Sequence, residues 1–157
     1  MSDTDNLISR RQFCAGACSA ASCVTLATVF SACSGSSTSP SGGSATLLDK
    51  STGKFTGSGV QVTVGGSALA TVGGAVLVDS DAGVFLLARM SQSSFSAIEA
   101  VCTHEGCTVT GADGDQYVCP CHGSRYDRSG HVVHGPATAS LRQYASSLAG
   151  DVVTISL

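Results

Sequence analysis

The sequence predicts an all-β fold for residues 56–157. Of the 157 residues, 19 are glycine, none is tryptophan and 12% are charged, a composition typical of a small β domain with many turns. Apolar side chains alternate with a period of two from Val60 to Val64, which is the pattern of a half-buried strand. No stretch after residue 33 has a convincing helical pattern. We therefore predict antiparallel strands joined by tight turns.

Further strands are predicted from short apolar runs. The runs are Val60 to Val64, Ala75 to Val78, Val84 to Ala88, Phe95 to Val101 and Tyr117-Val118, with Leu141 to Tyr144 and Val152 to Leu157 as a closing hairpin around Leu148 to Asp151. Gly-Gly pairs and an Asp-Ala-Gly segment separate the first of these runs. We predict a base that is a barrel or a sandwich, with a small subdomain inserted between its strands.

Two segments rich in cysteine and histidine lie in the predicted insertion. The first is C-T-H-E-G-C at residues 102–107, and the second is C-P-C-H-G-S-R-Y-D at residues 119–127. Two thiolates and two imidazoles can form a zinc site, or a 2Fe-2S site in which two histidines replace two cysteines on one iron. Zinc knuckles usually present C-x-x-C pairs, whereas each segment here offers a Cys-His pair. The spacing therefore favours the iron-sulfur site.

Each segment also contains a spare cysteine, Cys107 in the first and Cys121 in the second. Two loops that grip one metal group from opposite sides need a fixed separation, and a disulfide provides it by restricting the open states. The whole pattern closely resembles the Rieske iron-sulfur proteins. The resemblance runs from Cys102 to about Leu141 and includes Gly-Pro-Ala at residues 135–137.

The resemblance implies a role for each residue of the two segments. The implied ligands of a single 2Fe-2S cluster are Cys102 and Cys119 on one iron and His104 and His122 on the other. Cys107 is implied to pair with Cys121 in a disulfide. His131 and His134 match no ligand position, and we expect them to be solvent-exposed loop residues.

The charge of this site predicts a raised reduction potential. Two ferric ions, two sulfides and two thiolates sum to zero, so an added electron meets less negative charge than in a four-thiolate cluster. Rieske potentials span about −150 to +300 mV, and hydrogen bonds to the sulfurs raise them. Ser124 and Tyr126 stand where the high-potential branch of the family keeps a Ser and a Tyr for this purpose. We expect the upper half of the range.

The resemblance also implies a link to quinol oxidation. In the family the ligand histidines lie at a surface tip, where reduction adds negative charge and couples electron uptake to proton uptake. Two residues depart from the quinol-oxidising pattern: Glu105 replaces an apolar residue, commonly Leu, and Thr138 replaces a frequent Pro. A carboxylate at position 105 should hinder docking on an apolar quinone pocket and disfavour the reduced state.

The N-terminal segment is predicted to direct export. Arg10 and Arg11, followed by an uncharged stretch from Cys14 to Ala32, resemble a twin-arginine signal. That route carries folded cargo, as a protein whose cluster is built in the cytoplasm requires. The residues before Cys33 resemble a lipobox, which predicts lipidation of this cysteine after cleavage. An uncleaved anchor of about twenty residues and simple secretion are the alternatives.

These features divide the chain into three parts. Residues 1–33 are the predicted export signal or membrane anchor, residues 34–55 a flexible Ser/Gly-rich tether, and residues 56–157 the Rieske 2Fe-2S domain. We expect the protein on the periplasmic side of the bacterial cytoplasmic membrane, held by a lipid or by an uncleaved N-terminal segment. A net charge of −3 gives no basis for nucleic-acid binding.

The leading functional hypothesis is an electron-transfer subunit rather than a complete enzyme. It would carry electrons from a quinol to a c-type cytochrome within a cytochrome bc-type complex, beside a cytochrome b-type subunit. The alternatives are the small Rieske subunit of a periplasmic molybdenum oxidase, similar to arsenite oxidase and paired with a molybdopterin subunit, or a stand-alone carrier. A zinc-stabilised module without redox activity is a third class. An oxygenase catalytic subunit is excluded, because no remaining segment could hold a mononuclear iron site.

Overall fold

The computed structural model describes residues 45–157, which form fourteen strands and a single 3-10 turn. The predicted signal and residues 34–44 of the predicted tether lie outside this range. The strands are β1 (Thr46–Leu47), β2 (Asp49–Thr52), β3 (Lys54–Phe55), β4 (Gly59–Thr63), β5 (Ala75–Ser80), β6 (Gly83–Arg89), β7 (Phe95–Glu99), β8 (Gly111–Asp113), β9 (Gln116–Val118), β10 (Arg125–Tyr126), β11 (Val132–His134), β12 (Gln143–Tyr144), β13 (Ser146–Ala149) and β14 (Val152–Ser156). The 3-10 turn spans Ala68–Ala70. Within residues 45–157, no helix has the length and apolar character needed to cross a membrane.

Two sheets form the base of the fold. One has the strand order β12-β7-β6-β5-β2 and the other the order β13-β14-β4-β3. Val60 and Val62 of β4 are buried against Val76 and Phe85 of the other sheet, in one apolar core. The period-two prediction for β4 is confirmed, because its valines face this core while Gln61 is exposed. The base is thus a sandwich of two open sheets and not a barrel.

A third sheet forms the inserted subdomain, with the strand order β1-β8-β9-β10-β11. The chain leaves the base after β7 and returns at β12, and these two strands pair with each other in the base. Nearly the whole subdomain is therefore inserted between neighbouring strands, as predicted. Tyr117 and Tyr126 of the subdomain pack with Leu86 and Ile98 of the base in a second core. Consequently, the sheet that contains β5, β6 and β7 is buried on both faces.

Three features differ from the sequence prediction. Residues 46–55 fall within the predicted tether but contain β1, β2 and β3, so they belong to the folded domain. Of these strands, β2 pairs with β5 in parallel, although antiparallel pairing was expected throughout. The C-terminal hairpin joins β14 to β13 around Gly150 and Asp151, whereas Gln143 and Tyr144 pair with β7 instead. The common cause is long-range backbone pairing, which apolar periodicity does not encode.

A turn at residues 127–130 ties the subdomain to the base. The Gly130 N–H donates to the Asp127 carbonyl at 3.0 Å, and the Gly130 carbonyl accepts from the Leu141 N–H at 2.8 Å. Nearby, the Ser96 hydroxyl donates to the Arg128 carbonyl at 2.6 Å. Gly130 has φ +85°, and a Cβ there would lie 3.2 Å from the Leu141 Cβ. The turn therefore requires glycine for its backbone angle and for its packing.

We expect Gly130→Ala to lower the free energy of unfolding by about 2 to 4 kcal/mol, from backbone strain plus overpacking. The matched control is Gly114→Ala, because Gly114 also has a positive φ but a Cβ there meets nothing within 4 Å. The control should cost only about 1 to 2 kcal/mol. Urea denaturation followed by circular dichroism measures both, and equal losses would contradict the packing argument.

Candidate metal centre

Two loops of the subdomain have the same backbone hydrogen-bond pattern. Loop 1 comprises residues 102–107, and loop 2 comprises residues 119–124. In each loop the N–H of the first residue donates to the carbonyl of the sixth, at 2.8 Å in loop 1 and 2.9 Å in loop 2. The N–H of the fifth residue, Gly106 or Gly123, donates back to the first carbonyl at 2.8 and 3.0 Å. Both glycines have φ +76°, a region that side chains disfavour.

Of the four predicted ligands, the two cysteines are buried and the two histidines are exposed to solvent. Cys102 and Cys119 open their loops and are 2% and 1% exposed. His104 and His122 lie at the surface end of the same loops, with their Nδ1 atoms 3.2 Å apart. Their ring centroids are 4.9 Å apart, and the ring planes lie at 87° to each other. The two loops thus form a site with a buried thiol side and an exposed imidazole side.

A disulfide joins the two loops. The Cys107 and Cys121 sulfurs are bonded at 2.02 Å, and their Cα atoms are 6.5 Å apart. The pairing that the Rieske resemblance implied is therefore the one that the structure contains. Cys107 is half-buried and Cys121 is exposed, so the bridge lies near the surface of the subdomain.

Two buried hydroxyl groups, those of Ser124 and Tyr126, lie at the thiol side of the site. Both residues are fully buried. Among residues 45–157, Ser124 is the only buried residue of the polar and charged types. The Tyr126 hydroxyl lies 3.2 Å from the Cys102 Sγ. The Ser124 Oγ accepts from the Ala137 N–H at 3.1 Å, which leaves the hydroxyl hydrogen of Ser124 available to a sulfur.

Thr103 belongs to the same network, although the sequence analysis did not single it out. Its Oγ1 lies 3.1 Å from the Tyr126 hydroxyl and donates to the Ala139 carbonyl at 2.6 Å. The Thr103 N–H also donates to the Tyr126 hydroxyl at 3.2 Å. A third loop, residues 135–140, is thus tied to loop 1 through Ala139 and to Ser124 through Ala137. In the sequence, Thr103 stands out only because it lies between the proposed ligands Cys102 and His104. That position does not predict a contact with Ala139.

The two thiols have different electrostatic environments. Burial acts to raise the pKa of Cys102, but hydrogen bonds from Tyr126 and from the His104 backbone outweigh it, so that the pKa is lowered. Burial raises the pKa of Cys119, and the hydrogen bonds from the backbone of Cys121 and His122 do not fully offset it. Burial likewise raises the pKa of Tyr126, so its hydroxyl remains a hydrogen-bond donor at neutral pH.

The donor set fits a binuclear cluster better than a single zinc ion. Tetrahedral zinc holds each ligand at about 2.0 to 2.3 Å, which brings all four ligand atoms close together. Among residues 45–157, the groups of three candidate ligand atoms within 4.8 Å of one another are the sulfurs of Cys107, Cys119 and Cys121 and the set His104, Glu105 and His122. Neither group contains both a cysteine and a histidine. The thiols are thus further from the imidazoles than a single zinc ion would hold them. This separation suits a group with two metal ions.

The other residues discussed in the sequence analysis lie at the surface. Glu105 is exposed at the imidazole side, with its carboxylate 3.8 Å from the His122 Nδ1. Thr138 is exposed in the third loop. His131 is exposed in a turn, 3.2 Å from the Asp127 carboxylate, whereas His134 is exposed on β11 rather than in a loop. Both of these histidines lie outside the Cys-His loops, as expected.

The fold and the site together define a small all-β domain with two paired Cys-His loops that offer thiol and imidazole ligands to a metal centre. The sequence profile described as "Rieske [2Fe-2S] domain" matches residues 49–145, and the chain belongs to this family. The protein is a Rieske iron-sulfur electron carrier, and its cofactor is one 2Fe-2S cluster. Family membership decides against the zinc-stabilised module.

Two cytochrome b6-f complex iron-sulfur subunits are similar to this chain over part of its length. The cytochrome b6-f complex iron-sulfur subunit of Chlorobaculum thiosulfatiphilum is 45% identical over 64 residues, which cover 40% of this chain and 35% of that protein. The subunit of the same name from Prochlorococcus marinus (strain NATL1A) is 50% identical over 60 residues, covering 38% and 34%. The match thus spans about a third of the length of these relatives.

A solved structure supports the fold. The ferredoxin of carbazole 1,9a-dioxygenase from Nocardioides aromaticivorans IC177 superposes with a TM-score of 0.50. It is 22% identical, and the superposition covers 63% of this chain and 97% of the ferredoxin. At this level of identity the similarity concerns the β architecture alone.

We expect the double variant Cys107→Ser, Cys121→Ser to be less stable than the wild type by about 3 kcal/mol, the loop-closure value for a bridge across some 15 residues. The bonded cysteines are separated by 14 positions in the sequence. Urea denaturation without reductant measures the loss. The wild type unfolded in the presence of a strong reductant is the control and should match the variant. A variant as stable as the oxidised wild type would contradict a structural role for the disulfide.

Proposed function

We propose that the cluster is held by Cys102 and Cys119 on one iron and by His104 and His122 on the other. The main support is the division of exposure, with the thiols buried and the imidazoles at the surface. When bound, the cluster supplies a one-electron redox couple. The two imidazoles then form the edge nearest to a docked partner and shorten the distance that an electron must cross.

Ser124 and Tyr126 are proposed to set the potential of this couple. Both side chains are removed from water, and a hydrogen bond to an anionic sulfur is stronger in such surroundings. The reduced state carries one more negative charge, so donors stabilise it more than the oxidised state. This supports a potential in the upper half of the Rieske range of about −150 to +300 mV.

We further propose that the protein is the iron-sulfur subunit of a quinol:cytochrome c type oxidoreductase. The names of the relatives from Chlorobaculum and Prochlorococcus support a cytochrome b-type partner. A quinol would be the donor and a c-type cytochrome the acceptor. The arginine pair and Cys33 in the sequence support export by the twin-arginine route to the outer face of the bacterial cytoplasmic membrane, with attachment there by a lipid or by an uncleaved segment.

Glu105 favours a second candidate partner. Its carboxylate side chain is 61% exposed and lies beside His122, so a docked partner would meet a charge next to the electron-transfer edge. An apolar quinone pocket would have to desolvate this charge, which is costly. A small subunit of a periplasmic molybdenum oxidase, or a stand-alone carrier between proteins, avoids this cost. The two candidates share the cluster and differ in the surface that docks on it.

We expect Tyr126→Phe to lower the midpoint potential by roughly 40 to 65 mV. The variant loses one donor to the Cys102 sulfur, worth about 1 to 1.5 kcal/mol, and about 1.4 kcal/mol corresponds to 59 mV for one electron. The control is Tyr117→Phe, because the buried Tyr117 hydroxyl lies beside Arg128 and makes no hydrogen bond to a cysteine sulfur. An EPR-monitored redox titration measures both. If the potentials of the two variants agree, the proposed role of Tyr126 fails.

We expect Glu105→Leu to raise the midpoint potential and to accelerate reduction by a short-chain quinol, because the charge at the docking edge is removed. Asp115→Asn is the matched control, since this exposed carboxylate lies at the turn between β8 and β9, away from loops 1 and 2. Stopped-flow reduction by the quinol measures the rate. A faster rate only in the position-105 variant supports the second candidate for the natural protein. Rapid quinol reduction of the wild type, unchanged in the variant, supports the quinol-oxidising role.

A further inference from the structure

Three cysteine sulfurs of the two loops lie together beside the metal site. The Sγ atoms of Cys107, Cys119 and Cys121 are all within 4.8 Å of one another, and two of them form the disulfide. The third belongs to Cys119, whose thiol is free and buried. The Sγ of the other free thiol, Cys102, is not part of this group of three. One ligand thiol is therefore adjacent to a disulfide, while the other is not.

We propose that Cys119 exchanges with the Cys107–Cys121 disulfide whenever the cluster is missing. The Cys119 thiol first loses its proton to water, and the resulting thiolate attacks the Cys107 sulfur. The new Cys107–Cys119 bond forms as the old bond breaks, and the electron pair leaves on Cys121, whose thiolate takes up a proton from water. One disulfide and one thiol are present before and after, so no oxidant or reductant is required.

The exposure of the sulfurs determines the direction of the exchange. Cys121 is exposed and Cys107 is half-buried, so a thiolate that leaves on Cys121 is better solvated. The product still joins loop 1 to loop 2, because Cys119 and Cys121 belong to the same loop. A bridge from Cys119 to Cys121 would instead close a small ring across Pro120. The favoured product is therefore Cys107–Cys119.

This exchange consumes a cluster ligand. A cluster-bound Cys119 cannot act as the nucleophile, so the cluster protects the disulfide and the disulfide holds the loops around the cluster. After exchange, Cys119 is bonded to Cys107 and cannot bind iron until Cys121 reverses the exchange or the bridge is reduced. The protection by the cluster rests on the proposed role of Cys119 as a ligand. The exchange itself does not depend on that role.

The test compares two full-length variants, Cys102→Ser and Cys119→Ser. Each loses one proposed ligand, so both are depleted of cluster, but only the first retains the nucleophile. The proteins are kept without oxygen or added thiols, and circular dichroism confirms that they remain folded. Samples are trapped over hours with a maleimide at acidic pH, where exchange stops because thiolates are protonated. After reduction and a second label, cleavage at Glu105 and tandem mass spectrometry locate each label.

In Cys102→Ser the first label should move from Cys119 to Cys121 with time. In Cys119→Ser the first label should stay on Cys102, and the label at Cys121 should be at least several-fold lower than in Cys102→Ser. The inference is overturned if the label stays on Cys119 in the first variant, or reaches Cys121 equally in both.

Wild-type protein provides a second measurement that does not depend on either variant folding. After anaerobic removal of the cluster with a chelator, the label should move from Cys119 to Cys121 while Cys102 remains labelled. Cluster-loaded wild type should show no movement, and movement in the loaded protein would contradict protection. A purified wild type that lacks any cluster would instead count against the proposed ligand set, so the two failures are distinguishable.

Discussion

The position of loop 1 relative to loop 2 is the constraint on which the site depends. The disulfide joins Cys107 to Cys121, and the matching backbone pattern places a cysteine at the start of each loop. The base supports this arrangement, because β7 delivers loop 1 and pairs with β12, where the chain returns. Without the disulfide, each loop would keep its backbone hydrogen bonds, but the distance between the loops would no longer be fixed. A binuclear cluster bound by both loops depends on that distance.

The site is asymmetric in its exposure to solvent. Its thiol side is buried with Ser124 and Tyr126, whereas its imidazole side reaches solvent. Stabilisation of the added charge and contact with a partner are therefore assigned to opposite sides. The third loop supports the thiol side, since the Ala137 N–H donates to Ser124 and the Ala139 carbonyl accepts from Thr103. A partner that displaces this loop would change the hydrogen bonds that we propose to set the potential.

The sequence predicts the chemistry of the centre better than its surroundings. Cys-His spacing is a local signal, so both loops were found, and β4 was found because one of its faces is buried. β2 was missed because D-K-S-T has no apolar alternation and pairs only through its backbone. Thr103 was missed for a similar reason, since its partner lies 36 positions away. Such contacts depend on tertiary structure, which no short window of sequence contains.

The central claim is that two histidines and two cysteines hold the cluster. Pulsed EPR of the reduced full-length protein, grown with ¹⁵N-labelled histidine and compared with unlabelled protein, tests it most directly. We predict couplings from two directly bound imidazole nitrogens, which change from ¹⁴N to ¹⁵N on labelling. A cluster signal without strong nitrogen coupling would indicate all-cysteine ligation. That result would contradict the ligand set of two histidines and two cysteines on which the function is argued.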